Sequence, residues 1–448
     1  MLTFSSRERS GKTCDGVTRR NFLRVGSLCV GGLSLGDLLR LRAQAAPTER
    51  RHKAVIMVWL EGGPSHIDTY DLKPDAPAEI RGPFKPIQTK VPGLQLSELM
   101  PLQAKIADKI AIIRNMVYQS PDHRPPEELL TGFHQGGRPA LGSVVSRILA
   151  DDNVPRLLPP YVQLDSLHDP ANRLSFPAYL GEAHKPFIPG KDLKMLERNS
   201  KVSAEQLQDR RSLLKTFDGL RADLDAGENM SSMDAFTAQA LEMIASPKAR
   251  DAFDISRESQ ATRDKYGPAT QLLQARRLVE AGVSVVSVSF VGVEKGRKAV
   301  CGFGGGTWDT HGNLDKCLGH LVPQLDHAVH ALATDLSERG LEKDVAVVFW
   351  GEMGRSPHVT PNPNRTPGRG HWPQAGFSLL LGGGLNMGQA VGATDARGGN
   401  PMGQPNTPQN VLATLYKVLG IDSERTLPNH DGRPMYLLDD RRPVTELV

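Results

Sequence analysis

Apolar positions along this chain follow two rhythms. Ala54–Leu60 (AVIMVWL) is an unbroken apolar run with β-branched residues, and it stops at Glu61-Gly62-Gly63-Pro64. Such a run predicts a strand buried on both faces. Gly282–Phe290 (GVSVVSVSF), Asp344–Trp350 (DVAVVFW) and Phe377–Gly384 (FSLLLGGG) predict three more of the same kind. Between them the spacing changes to three and four. Gln271–Ala281 (QLLQARRLVEA) is helical, and Leu321, Leu325, Val329, Leu332 and Leu336 mark one face of a longer helix before the third strand. Pro408–Ile421 predicts a late amphipathic helix. Strands alternating with helices imply an α/β fold, with a large, mainly parallel sheet covered by helices on both faces. Residues 191–266 are charged and weak in strand signal, which predicts a helical insertion.

The first 46 residues stand apart. They hold eight of the 54 Lys and Arg but only three of the 50 Asp and Glu, so the overall charge of +4 falls to −1 without them. The basic balance therefore argues for no nucleic-acid partner. Arg19 and Arg20 precede Phe22 and Leu23, a short apolar run spans Val25 to Leu35, and Ala43-Gln44-Ala45 offers small residues for cleavage. This layout predicts a twin-arginine export signal over 1–46, read by the Tat machinery, and a mature domain over 47–448. The mature protein is then expected in the periplasm or outside the cell. The run is too short to span a bilayer as a mature helix. Cys301 and Cys317 remain after cleavage, and an oxidising compartment would permit a bridge between them.

The polar residues cluster where strands end. Glu61, Ser65, His66, Asp68 and Asp71 follow the first strand; Asp309 and His311, in GGGTWDTHGN, follow the second. Glu352 and Arg355 follow the third, and Arg369 and His371 come shortly after. Ligands in open α/β sheets bind beyond the carboxyl ends of strands, so these loops can serve one site. Taken singly each has a plainer explanation: Asp309 or Asn313 could cap the following helix, and Glu352 and Arg355 could be an ion pair. His320, His327 and His330 sit along the helix and are expected to be structural. A mixed carboxylate and imidazole set suits zinc or another divalent transition metal. Pure carboxylate would favour magnesium or calcium.

The motifs GGPSHIDTYDLKP, LLTGF, PAYLG, WDTHGN, GEMGRSP, GRGHWP and DGRP, in this order, resemble the exported bacterial family called domain of unknown function 1501. That family is grouped with the alkaline-phosphatase-like and sulfatase superfamily. The resemblance implies a large mixed sheet between helices, with one or two metals at the strand ends. It implies metal roles for Asp309, His311, Glu352 and His371, with Asp68 or His66 as the ligand after the first strand and Glu61 as its competitor. Met353 stands where that superfamily places a ligand histidine. Ser120, Asp122, His123 and Arg124 precede LLTG, where sulfatases carry a formylglycine signature that this chain lacks. Ser120 or Ser65 could be a nucleophile, and metal-activated water is the other route. Arg355 and Arg369 are expected to stabilise an oxyanion, and His123 to act as an acid. The expected activity is hydrolysis of a phosphate or sulfate ester, on a small molecule or a polysaccharide. Zinc is the favoured ion, with manganese, calcium and magnesium as alternatives. The other function considered is a non-catalytic cell-surface binding or scaffold protein with a degenerate site.

Overall fold

Seven strands make the central sheet of the computed structural model, which describes residues 52–123, 127–152, 154, 156–164, 177–189, 246–292, 307–362 and 365–448. In chain order the strands are β1 (Ala54–Trp59), β2 (Ile110–Met116), β3 (Tyr161–Leu164), β4 (Val285–Ser289), β5 (Val345–Trp350), β6 (Gly354–Asn362), β7 (Arg365–Trp372), β8 (Gly376–Gly382) and β9 (Gln389–Val391). β6 and β7 form a separate antiparallel hairpin, and the other seven lie in the order β9-β2-β8-β5-β1-β4-β3. Pairing is parallel throughout except on either side of β8, which runs against both β5 and β2. The sheet is therefore mixed and mainly parallel, as the apolar runs predict. The four strands expected from those runs are neighbours: β8, β5, β1 and β4.

The continuous apolar runs serve two cores. Ile56, Val58, Val286, Val347, Phe349 and Leu379 face one cluster; Val55, Met57, Val285, Ala346, Val348 and Leu380 face the other. Alternation with a period of two divides each strand between the faces. Helices α2 (Thr270–Glu280) and α3 (Leu314–Glu338) cover the first face, and α1 (Leu141–Asp151) and α4 (Pro408–Val418) cover the second. On α3, Leu321, Leu325, Val329, Leu332 and Leu336 are all buried. Each such side chain contributes about 1.5–3 kcal/mol relative to exposure. α4 begins with Pro408 in its first turn behind a Thr407–Asn410 capping box, which satisfies amides that would otherwise be orphaned.

Within 191–266, the residues described from Ser246 onward include two short helices, Pro247–Phe253 and Gln260–Tyr266. The rest of that expected insertion, the export segment, Arg124 and Cys301 lie outside the described residues. Among the described residues no helix is long and apolar enough to cross a membrane.

The sheet's directionality places the site. β1, β2, β4 and β5 share one direction, so their carboxyl ends share one edge. Glu61–Gly63, Gln119–His123, Thr307–Asn313 and Gly351–Met353 lie beyond those ends. The β6–β7 hairpin leaves β5 at this edge and re-enters as β8, with Arg355 opposite His371 in its register.

A candidate metal centre at the carboxyl edge of the sheet

The loop carrying Asp309 and His311 is clamped between two backbones. On one side Trp308 donates its amide to Glu61 O at 2.7 Å. On the other, Arg369 donates its amide to Thr310 O at 2.8 Å, and Asn313 donates to Thr366 O at 2.9 Å. Glycine permits both approaches. Gly62 has φ +108°, and a Cβ there would lie 2.5 Å from the Asp309 amide nitrogen. A Cβ on Gly368 would lie 2.2 Å from the carbonyl carbon of His311. Asp309 is not a helix cap. Asn313, left-handed at φ 56°, precedes α3 and its side chain makes no capping bond.

Four side chains converge here: His123, Asp309, His311 and His371, each offering one donor atom, all within 4.8 Å of one another. Asp309 Oδ1 lies 3.3 Å from His311 Nε2 and 3.6 Å from His123 Nε2, and His311 Nε2 lies 2.8 Å from His371 Nε2. Ligands 2.0–2.1 Å from a tetrahedral ion are about 3.3–3.4 Å from each other, so these separations bracket what a zinc-sized ion needs. A second observation supports the fit. His123 Nε2 is buried and makes no hydrogen bond among the described residues. Buried polar atoms are ordinarily paired, and a cation between this nitrogen and Asp309 Oδ1 would give it a partner.

Arg355 lies behind this group. Its guanidinium is fully buried, with Nη2 2.8 Å from Asp309 Oδ1, Nε donating to Gly63 O at 2.8 Å, and a further bond to Gly62 O. Burial works against the charge on Asp309, but His123, Arg355 and His311 hold its carboxyl well below the usual carboxylate range. Burial, and then Arg355 with the neighbouring imidazoles, pushes His371 down to about 4. His311 is lowered by burial and by Arg355, although Asp309 pulls the other way. His123 differs: burial opposes protonation, but the Asp309 and Glu352 carboxylates outweigh it and bring the ring to about 9. The group thus contains one firmly ionised carboxylate and two imidazoles that keep their lone pairs at neutral pH.

Of the six residues expected to hold metal, Asp309, His311 and His371 enter this group, whereas Glu352, Asp68 and His66 do not. Glu352 sits one step back, with Oε1 2.7 Å from His123 Nδ1. Asp68 is fully buried and engaged by Arg369, Nε to Oδ2 at 2.7 Å and Nη2 to Oδ1 at 3.1 Å, and it also accepts from Ser65 Oγ at 2.5 Å. Its charge is spent on a guanidinium. His66 Nε2 is 2.8 Å from Gly398 O, and burial lowers its pKa, so it is a neutral ring tying down the 395–400 loop.

The two arginines expected at an oxyanion are likewise committed. Arg369 donates to Asp68, Ile80 O, Ser356 O and Pro357 O, and Arg355 to Asp309 and the Gly62–Gly63 carbonyls. Both are fully buried and serve as braces for the loops. Ser120 Oγ accepts the Asp122 amide at 3.1 Å on the loop that delivers His123. Met353 is buried, packed so that a Cβ on Gly63 would lie 2.8 Å from its Cγ.

His123 is the member of the group that the sequence pattern assigns to another role. Its place follows from β2, a strand the apolar pattern does not predict because Arg114 and Asn115 interrupt it. The available signal was the run Ile110–Ile113 seven residues before Ser120, which makes Gln119–His123 another strand-end loop.

Comparison with known proteins gives three findings. No curated protein matches the chain. Among solved structures, a sulfatase from Pseudoalteromonas sp., PsFucS1, is 12% identical over 87% of this chain and 72% of its own, with a TM-score of 0.36. The C-terminal periplasmic domain of EcEptC from Escherichia coli, in complex with Zn, is 11% identical over 90% of this chain and 93% of its own, with a TM-score of 0.35. The phosphonate monoester hydrolase of Agrobacterium radiobacter is 11% identical over 83% and 74%, with a TM-score of 0.33. The family match is of a different order, since it spans residues 52–448, and by that match the chain belongs to the family described as Protein of unknown function (DUF1501).

Proposed function

We propose that this chain is an exported, metal-dependent hydrolase of phosphate or sulfate esters. The observation that carries the reading is the convergence of His123, Asp309, His311 and His371, with His123 Nε2 buried and making no hydrogen bond among the described residues. Three imidazoles and one carboxylate favour zinc over the oxygen-seeking magnesium and calcium. A divalent ion held there would polarise an ester oxygen and acidify water near neutral pH. The chain's own residues do the rest. Asp309 supplies the fixed negative charge, Arg355 keeps its carboxylate oriented, and His311 and His371 present neutral nitrogens. Ser120, on the loop that carries His123, is the protein nucleophile to be weighed against water. Ser65 is the poorer candidate, since its hydroxyl is fully buried and donates to Asp68.

The test is hydrolysis of aryl phosphate and aryl sulfate monoesters by the purified mature protein, before and after chelation and zinc return. Turnover should vanish with chelation, return with metal and be lost in His311→Ala, while Ser120→Ala retains it if water is the nucleophile. Chelator-resistant turnover, or a His311→Ala variant as active as the parent, would sink the proposal. A second reading has one supporting observation: Met353, buried against Gly63, occupies the place where the resemblance leads one to expect a ligand histidine. On that reading the chain binds a ligand at the cell surface without turning it over.

A further inference from the structure

We infer that Glu352 is the positioning residue of this centre: it fixes which nitrogen of His123 faces the metal, and it is not itself a ligand. The inference rests on the metal-site reading above. Glu352 is buried and its carboxylate receives five hydrogen bonds from four donors. Trp59 Nε1 donates to Oε2 at 2.9 Å from the end of β1. The Gly62 amide is shared between Oε1 at 2.9 Å and Oε2 at 3.2 Å, and the Gly63 amide donates to Oε2 at 3.2 Å. His123 Nδ1 completes the set at 2.7 Å from Oε1. A carboxylate has about four lone-pair sites, so those of Glu352 are filled by donors that belong to the protein.

The consequence lies on His123. With Nδ1–H donating to Glu352, the proton that a metal displaces from the ring is the one on Nε2, and the lone pair left for the ion is there. That is the buried nitrogen without a hydrogen bond, 3.6 Å from Asp309 Oδ1. Histidines that bind metals commonly donate their second nitrogen to a carboxylate, which sets tautomer and orientation. Here the same carboxylate also grips the Gly62–Gly63 turn, against which the Asp309 amide packs. One side chain therefore aligns two members of the group from behind.

Zinc affinity of the full mature chain, measured by competition against a chromogenic chelator, tests this together with the visible spectrum of the cobalt-substituted protein. Glu352→Ala should bind one ion about 10–100-fold more weakly, with an altered cobalt spectrum. Glu352→Gln, whose amide oxygen can still accept from Nδ1–H, should recover part of the affinity. Trp59→Phe removes one bond to Glu352 but leaves the His123 contact, so it should keep affinity within a few-fold, which separates positioning from general loosening. Parental affinity in Glu352→Ala overturns the role of Glu352 and leaves the metal centre standing. Loss of the ion in both Glu352 variants, to the level of His311→Ala, makes Glu352 a direct ligand and also overturns it. A parent protein that binds no zinc removes the metal centre and this inference with it.

Discussion

Asp309 and Asp68 show how two aspartates near the same edge acquire opposite fates. Asp68 meets a guanidinium in bidentate geometry with both partners fully buried, so its charge is neutralised on the spot. Removing either partner of such a pair typically costs about 3–5 kcal/mol, because the other charge stays buried alone. Asp309 also meets an arginine, at Oδ1, but that same oxygen looks toward three imidazoles. Sequence marks both as aspartates in strand-end loops and cannot separate them, because the partner that decides, Arg369 or Arg355, is remote along the chain. A third acidic residue, Glu128, carries a pH signature. Burial pushes its carboxyl up to about 7, with the Gln119 amide pulling the other way. A folded-state pKa above the usual 4.5 means the folded chain retains a proton that the unfolded chain loses. This contribution to stability is thus full below about 4.5, declines as pH rises through the window to about 7, and is flat beyond. Glu128→Gln has no such proton to lose. Its melting temperature relative to the parent should climb between pH 5 and pH 8, by an amount equivalent to at most about 3 kcal/mol. A constant difference across that range would contradict the assignment.

At the level of elements, the parts legible in sequence are those buried on both faces. β1, β4, β5 and β8 are near-continuous apolar runs because α2 and α3 on one side and α1 and α4 on the other leave no polar face. β2 and β3 are less evident. β2 is interrupted by Arg114 and Asn115, and β3 is only four residues long with Gln163 inside it. The β6–β7 hairpin is invisible to periodicity, since prolines and glycines fill it, yet it carries Arg355, Arg369 and His371. His311 and His371 were legible as site residues from their types and glycine-rich settings. The role of His123 was not, because it depends on the direction of a strand that the pattern did not reveal. Glu352 was legible as belonging to the site but not as standing behind it, since only the Trp59 and Gly62–Gly63 donors show that its oxygens are taken.

For the whole molecule, one reversed strand, β8, lets the chain return across the sheet after the hairpin without moving the shared carboxyl edge of β1, β2, β4 and β5. That edge explains how residues nearly 250 positions apart, His123 and His371, reach one point. The export reading is a property of the chain outside this sheet. A reporter fused behind residues 1–46 should be translocated, and replacing Arg19 and Arg20 together by Lys should stop it; undiminished export of the double-Lys form would contradict twin-arginine export. The central claim, a single metal centre built from His123, Asp309, His311 and His371, is tested most directly by counting ions. Elemental mass spectrometry of the purified mature protein and of His311→Ala should give one divalent ion per chain in the parent and a fraction of that in the variant, with the variant's melting temperature only modestly lower. No stoichiometric ion in the parent, or equal metal in both, would contradict it.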